Sequence, residues 1–205
     1  MIYTIHGWSF SPAVWKGTPF QAAEHLTLPG HGETPFRSTE VEGLAEEVGA
    51  YLSQKSTLVG WSLGASVALI TAALFPLKVK ELILLAPTLR FKGISQPEIV
   101  VKRFLRKLER NFQETVLEFR KLCSRKKLPP VALSEEEAFK LLKSFCSLDL
   151  SPWAEKVKCP VTIIVGGKDE VTKSEGAVEL FYRLKVNVSL TFLPQEDHLT
   201  LLYAG

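Results

Sequence analysis

The chain of 205 residues is predicted to be an α/β protein in which helices flank a parallel sheet of about six strands. Short apolar runs alternate with segments of helical periodicity. Several of these runs are apolar without strict alternation, as in strands that are buried on both faces of a parallel sheet. One run passes through a glycine-rich turn directly into a helical pattern, which is the order of a β–α unit. The length and the 46% hydrophobic content allow one such domain with a modest insertion.

Strands and core helices alternate along the chain. The predicted strands cover residues 2–5, 25–28, 57–60, 81–85, 161–165 and 188–192. The predicted core helices cover residues 41–52, 66–75 and 174–184. In βαβ arrangements of this kind, functional groups are expected at the carboxyl ends of the strands.

The alternation stops between Arg90 and Leu150. Apolar residues there recur at steps of three and four, which predicts amphipathic helices. Pro129-Pro130 interrupts them, and a further helix is predicted over residues 134–145, with Ser134 and Glu137 spaced as a capping box. We therefore predict a helical lid inserted after the fourth strand. The chain would divide into a first core part at residues 1–89, the lid at 90–150 and a second core part at 151–205.

Bulk properties narrow the class of protein. A net charge of +3 gives no indication of nucleic-acid binding. Cys123, Cys146 and Cys159 are odd in number and lack C-x-x-C spacing, so buried free thiols are predicted. The histidines are scattered and predict no metal site. A strand begins at once and no run of about 18 apolar residues follows. We expect a cytoplasmic monomer without a membrane segment.

Gly60-Trp61-Ser62-Leu63-Gly64 joins a predicted strand to a predicted helix and matches the G-x-S-x-G nucleophile elbow. A serine raised on such a tight turn brings neighbouring backbone so close that only small residues fit two positions to either side. The motif predicts that Ser62 is the nucleophile of a serine hydrolase. The alternative for the pentapeptide alone is an ordinary glycine-rich turn.

A serine nucleophile needs a histidine base and a carboxylate that orients it. After such an elbow the expected chain order is serine, acid, histidine. His198 is the sole histidine that follows Ser62, so it is the predicted base. Asp169 follows the fifth predicted strand and is the preferred acid, because Asp197 adjoins His198 and Asp149 precedes that strand. A surface-turn role is the alternative for Asp169.

The oxyanion of an acyl-transfer intermediate needs two backbone N–H donors. One is expected from Leu63, directly after the nucleophile, and the other from Trp8, which follows His6-Gly7 at the end of the first strand. The Trp8 indole is also predicted to line the acyl pocket; a core aromatic is the alternative, and it is compatible with the backbone role. His31, in a turn-rich loop, is predicted to be structural.

These motifs resemble the α/β-hydrolase superfamily across nearly the whole chain. The motifs are His6-Gly7-Trp8, Leu28-Pro29-Gly30-His31-Gly32, Gly60-Trp61-Ser62-Leu63-Gly64, Gly166-x-x-Asp169 and Asp197-His198. Within the superfamily, H-G-W paired with G-W-S-L-G, together with Phe112-Gln113-x-Thr115-Val116-x-x-Phe119, is similar to the pimeloyl-[acyl-carrier protein] methyl ester esterases of biotin synthesis. Both short motifs also occur in relatives that act on other esters.

Carried over by position, the resemblance implies Ser62, Asp169 and His198 as the catalytic triad, with Trp8 and Leu63 as oxyanion and substrate contacts. The acyl-enzyme mechanism expected from these residues requires no metal or organic cofactor. The resemblance also implies acyl-chain contacts from one lid segment, namely Phe119, Arg120, Lys121, Leu122 and Cys123.

Two features depart from the family pattern. The chain begins at what is usually the third strand of the family. Lid arginines that would bind the carrier protein are replaced by Glu114 and Glu118.

The predicted lid is nevertheless basic. Its cationic residues are Arg90, Lys92, Lys102, Arg103, Arg106, Lys107, Arg110, Arg120, Lys121, Arg125, Lys126 and Lys127. Such a lid suits an acidic acyl carrier protein, and Arg103, Arg106 and Arg110 are the candidate docking residues. The alternative is the solvated face that any amphipathic helix needs.

The expected reaction is hydrolysis of pimeloyl-[acyl-carrier protein] methyl ester to the free acid and methanol. A broad carboxylesterase or thioesterase acting on small acyl substrates is the first alternative. An enzyme of the menaquinone pathway and a non-catalytic hydrolase-fold binding module are the others.

Overall fold

The computed structural model describes residues 1–126, 128 and 130–204, so Lys127 and Pro129 lie outside the described residues. One parallel sheet of six strands forms the centre of the fold, as predicted. The strands are β1 (Ile2–Ile5), β2 (Glu24–Leu26), β3 (Ser56–Trp61), β4 (Val79–Leu85), β5 (Val161–Gly166) and β6 (Val188–Leu193). Their order across the sheet is β2-β1-β3-β4-β5-β6, and each neighbouring pair is parallel.

This strand order locates the functional edge of the sheet. The chain forms β2 on one side of β1 and then returns to place β3 on the other side. The carboxyl ends of β1 and β3 therefore flank the point where the order reverses, which is where open α/β sheets bind ligands. Trp8 follows β1 and Ser62 follows β3 at this point.

Helices cover both the sheet and its functional edge. They are α1 (Val41–Tyr51), α2 (Leu63–Leu74), α3 (Glu98–Arg110), α4 (Phe112–Cys123), α5 (Glu135–Ser147), α6 (Ser151–Ala154) and α7 (Ser174–Arg183). Helix α2 begins three residues before its predicted start, because the turn that follows β3 consists of Ser62 alone.

Strand β2 ends earlier than predicted, and a side chain explains the difference. The predicted strand over residues 25–28 stops at Leu26. The backbone N–H of Leu28 donates to His6 Nε2 at 3.1 Å instead of to a neighbouring strand. The His6 imidazole thus takes the place of the strand-to-strand hydrogen bond at Leu28, and the chain turns away from the sheet.

Helices α3, α4 and α5 form the insertion between β4 and β5, and it packs directly on the core. Gly30 has a φ of 76°, and a Cβ there would lie 2.7 Å from the Ala138 backbone nitrogen of α5.

The hydrogen bonds expected of the predicted capping box do not form. Ser134 does occupy the N-cap position of α5, but its side chain makes no capping bond, and its backbone N–H donates to Gly30 O at 2.9 Å. This contact with the core therefore replaces the local cap.

Cys123, Cys146 and Cys159 are buried free thiols, which confirms that prediction. Within the described residues, no helix is both long and apolar enough to cross a membrane.

Candidate active site

Ser62 occupies a strained turn between β3 and α2. Its φ is 56° and its ψ is −118°, a conformation that costs a residue with a side chain about 1–3 kcal/mol. A Cβ on Gly60 would overlap the Gly64 carbonyl oxygen, and a Cβ on Gly64 would overlap the Ile5 carbonyl oxygen. Glycine is therefore required at both positions, and the close packing holds Ser62 in its strained conformation.

Asp169 and His198 form a buried pair at the carboxyl ends of β5 and β6. His198 Nδ1 lies 2.7 Å from Asp169 Oδ2, and both side chains are almost fully buried. The other carboxylate oxygen accepts the backbone N–H groups of Val171 at 2.8 Å and Thr172 at 3.0 Å. Burial raises the pKa of Asp169, but His198 and these hydrogen bonds outweigh it, and the net pKa lies below the ordinary value. The carboxylate therefore stays ionised and accepts a hydrogen bond from the Nδ1–H group of His198.

Two side chains that sequence reasoning missed hold His198. The Trp61 Nε1–H donates to the His198 carbonyl oxygen at 2.8 Å, and the two rings lie 5.2 Å apart. The Thr172 hydroxyl lies 3.0 Å from Asp169 Oδ2 and 3.3 Å from His198 Nδ1. Trp61 stands inside the elbow motif and Thr172 three residues after Asp169, which are the signals that could have indicated them.

With Nδ1–H directed at Asp169, the imidazole keeps Nε2 as an acceptor. In the part of the chain that the structure describes, no hydrogen bond joins Ser62 Oγ to this ring. Such bonds are often long in free enzymes and tighten when substrate binds.

The backbone donors of Trp8 and Leu63 are available. Among the described residues, neither N–H donates a backbone hydrogen bond. The Leu63 N–H is the first of α2, where no intrahelical partner exists. The turn that carries Trp8 is closed by the Phe10 N–H, which donates to Gly7 O at 3.3 Å.

Asp197 and Asp149, the rejected candidate acids, have other partners. Asp197 Oδ1 accepts the Leu199 and Thr200 N–H groups at 3.0 and 2.7 Å, and its Oδ2 accepts the Ser124 hydroxyl at 2.9 Å. Asp149 accepts the Ser151 N–H at 2.8 Å. Both therefore satisfy turns and helix starts.

His6 and His31 are neutral, buried side chains that hydrogen-bond to the backbone near the site. Each Nδ1 bonds a backbone carbonyl, that of Gly7 or Pro29, at 2.8 Å. Each Nε2 accepts a backbone N–H, from Leu28 or Ser9. Burial lowers the pKa of His6 to about 3, assisted by His31, and burial lowers the pKa of His31 to about 4. Both imidazoles therefore act as fixed acceptors at neutral pH.

These depressed pKa values predict acid sensitivity. An imidazole that is harder to protonate in the folded state contributes stability that is complete above the unfolded pKa of about 6.5 and is lost as the pH falls towards the folded pKa. We expect the free energy of unfolding to fall by about 2 kcal/mol for each of the two between pH 7 and pH 5. Urea unfolding at both pH values measures this fall. His31→Gln, which keeps an acceptor and a donor, should remove about half of the fall; an unchanged fall would contradict the assignment.

An apolar pocket lies between α3, α4 and the Asp169 loop. Its volume is about 280 Å³, and its lining includes Phe104, Phe119, Leu122 and Val171. The Phe104 and Phe119 rings lie 6.2 and 5.2 Å from the Trp8 ring. The pocket therefore adjoins the predicted oxyanion loop. The Trp8 indole donates to the Ala138 carbonyl oxygen at 2.8 Å, which fixes the ring under the insertion.

The five residues of the predicted acyl-contact segment point in different directions. Phe119 and Leu122 line the apolar pocket. Lys121 and Leu122 border a polar groove of about 1010 Å³. Arg120 and Cys123 are buried, and Arg120 contacts the loop after β1. The structure thus brings two of the five residues to the apolar pocket.

Together, this sheet order, the serine elbow after β3 and the Asp169–His198 pair define the α/β hydrolase class. The model of the alpha/beta hydrolase family matches residues 2–204, and the chain belongs to that family.

Individual relatives show which members of this family the chain resembles. The chain is 29% identical to a pimeloyl-[acyl-carrier protein] methyl ester esterase of Pseudoalteromonas atlantica, over 95% of this chain and 85% of the relative. It is 26% identical to the protein of that name from Nitrosospira multiformis, over 97% and 87%. A hydrolase from Oleispira antarctica superposes with a TM-score of 0.86 at 14% identity, over 98% of this chain and 85% of that one. An esterase from Exiguobacterium antarcticum superposes with a TM-score of 0.86 at 16% identity, also over 98% of this chain and 85% of that one.

Proposed function

We propose that this protein is a serine carboxylesterase that hydrolyses the methyl ester of a pimeloyl-[acyl-carrier protein], with Ser62, His198 and Asp169 as its catalytic triad. The observation that carries the proposal is the buried Asp169–His198 pair, whose Nδ1 and Oδ2 lie 2.7 Å apart, on the same sheet edge as the strained Ser62. The names of the relatives support the choice of ester.

The first half of the reaction forms an acyl-enzyme. His198 Nε2 takes the proton of Ser62 Oγ as that oxygen attacks the ester carbonyl carbon. The Trp8 and Leu63 N–H groups stabilise the oxyanion, a contribution of about 10²- to 10³-fold in rate for a donor of this kind. When the intermediate collapses, the C–O bond to the alcohol breaks and His198 returns its proton to the leaving methoxide, which departs as methanol.

The second half releases the acid. His198 removes a proton from water, whose oxygen attacks the acyl carbon of the Ser62 ester. Collapse of this second intermediate returns the proton from His198 to Ser62 Oγ and frees the carboxylic acid. Asp169, held by the Val171 and Thr172 N–H groups, stabilises the imidazolium in both halves. No step calls on a metal or an organic cofactor.

The apolar pocket suits the methylene chain of the acyl group. Most of its lining is apolar, including Phe104, Phe119 and Val171, and Glu118, which pairs with Lys107, is the charged residue among the lining side chains. Phe119 adjoins the Trp8 ring. The insertion at residues 90–150 then acts as a lid, since its helices α3 and α4 form two walls of this pocket. Ser62 itself is almost fully buried.

An acidic carrier protein would dock on α3 rather than on α4. Arg103, Arg106 and Arg110 are exposed on α3 and stand at helical spacings of three and four, so they share a face. Glu114 and Glu118, the two carboxylates that depart from the family pattern, have partners within the lid. Glu118 pairs with Lys107, and Glu114 accepts a hydrogen bond from the Asn111 side-chain amide. Phe104, which lines the apolar pocket, also lies on α3. A carrier protein docked on α3 would therefore hold the acyl chain beside this pocket.

Charge reversal of these three arginines to glutamate is expected to raise KM for a carrier-linked ester by about tenfold or more at low salt. KM for a small free ester should stay within about twofold, because the cations steer the carrier and do not touch the ester. Steady-state kinetics at low and high salt measure both effects, and the difference should shrink as salt rises.

The matched control reverses Lys16, Lys158 and Lys185, which are exposed and lie outside the lid, so net charge changes equally. Equal effects of the two triple variants on the carrier-linked ester would contradict docking on α3.

The proposed function is tested in a biotin-requiring bacterial strain that lacks its own esterase. Expression of the wild-type chain should restore growth without biotin, and Ser62→Ala should not. The purified protein should release methanol from pimeloyl-[acyl-carrier protein] methyl ester. Hydrolysis of simple esters without either result would favour a broad carboxylesterase or thioesterase, and the absence of any hydrolysis would favour a binding module.

A further inference from the structure

Arg120 reaches from lid helix α4 into the loop after β1. The residue is 8% exposed, and its Nη1 donates to the carbonyl oxygen of Ser9. The guanidinium carbon lies 4.7 Å from the centre of the Phe10 ring. A buried cation far along the chain therefore contacts the two residues that follow the proposed oxyanion donor Trp8.

The loop that Arg120 contacts is strained. Ser9 has a φ of 66°, which favours glycine. Its position is the third of the turn that the Phe10 N–H closes on Gly7 O at 3.3 Å, and a positive φ there is typical of a type II turn. The Ser9 hydroxyl is buried and has no hydrogen-bond partner among the described residues, so it does not stabilise the turn.

Two side chains hold the backbone of this turn from opposite sides. On the core side, the Ser9 N–H donates to His31 Nε2 at 2.9 Å. On the lid side, Arg120 donates to Ser9 O. The two peptide groups that follow the Trp8 Cα are thus fixed, one by the core and one by the lid. The Trp8 N–H belongs to the preceding peptide group, whose Gly7 oxygen accepts the Phe10 N–H and so links it to both.

We infer that Arg120 is a positioning residue that directs the Trp8 N–H at the oxyanion, so that the oxyanion hole is complete only when α4 is packed as in this structure. The inference rests on the proposed function. Lid closure would then do more than exclude water, because it would assemble part of the catalytic machinery.

The same guanidinium supports the histidine side of the site. The Phe10 ring beneath it packs against the Trp61 ring at a centroid distance of 4.7 Å. Trp61 in turn donates to the His198 carbonyl oxygen. Contacts thus run from Arg120 through two rings to the proposed base, and they give a physical route by which lid position affects both halves of the site.

The test compares Arg120→Met and Arg120→Lys with the wild-type chain on a small aryl ester and on its thionoester. Sulfur accepts hydrogen bonds poorly, so a well-formed oxyanion hole favours the oxygen ester strongly. Arg120→Met is expected to lower kcat by about 10- to 100-fold, with KM changed less than about twofold, and to lower the oxygen-to-sulfur rate ratio. Arg120→Lys keeps the charge and one donor and should recover part of both losses.

Lys143→Met is the matched control, since Lys143 is exposed on lid helix α5 and should leave both values within about twofold of wild type. A lower kcat with an unchanged rate ratio would assign Arg120 to lid packing and overturn the inference. If Arg120→Met unfolds, Arg120→Lys decides by the same ratio. Failure of the proposed function gives a different result from failure of this inference, because the wild-type chain itself would then not hydrolyse the ester.

Discussion

Ser62→Ala is expected to lower kcat for a short p-nitrophenyl ester by about 10⁵-fold or more. The variant removes the oxygen that forms the acyl-enzyme but keeps the Cβ, so the turn with its φ of 56° is under the same strain as before. The fold should therefore survive, with an unfolding midpoint at or above that of the wild type. Initial rates and thermal unfolding measure the two quantities.

Ser66→Ala is the matched control for this variant. Ser66 is a buried serine one turn further along α2, and its loss should change kcat by less than about threefold. If Ser62→Ala retained most of the wild-type rate, Ser62 would have no place in the mechanism.

Asp169→Asn is expected to lower kcat by about 10⁴-fold. The asparagine can keep the acceptor for the Val171 and Thr172 N–H groups, so the loop should hold its shape. The amide, however, presents a donor to His198 Nδ1 where a carboxylate accepted. The imidazole must then carry its proton on Nε2, where it can no longer accept one from Ser62.

Asp197→Asn separates this effect from a general loss of charge near the site. An asparagine there can still accept the Leu199 and Thr200 N–H groups through its oxygen, and its amide can donate to the Ser124 hydroxyl. We expect a loss below about tenfold, measured as kcat on the same ester. If Asp197→Asn cost more activity than Asp169→Asn, the acid would be misassigned.

The sequence was sufficient to predict the sheet and the elbow because their signals are local. All six residues of β3 are buried, and the run that predicts this strand contains β-branched and apolar residues and no charged one. Gly60 and Gly64 are required by contacts with backbone only a few residues away or on the adjoining strand β1. Patterns of this kind depend on residue type and spacing alone, so they can be read without knowledge of the packing.

The contacts of Arg120 could not be predicted in the same way. Arg120 and Ser9 are 111 positions apart in the sequence, and the positive φ of Ser9 has no signal in a residue that is not glycine. A resemblance transferred by position also treats residues 119–123 as one contact surface. Successive residues of a helix turn by about 100°, so Phe119 faces the pocket, Arg120 the core and Lys121 the exterior.

The most direct test of the central claim is covalent labelling with a fluorophosphonate, followed by tandem mass spectrometry of the digested protein. Only a serine that a base activates, beside donors for the phosphoryl oxygen, reacts rapidly. We expect a single adduct on Ser62, absent from Ser62→Ala and formed far more slowly in Asp169→Asn. An esterase that is active but labelled on a different serine, or not labelled at all, would contradict it.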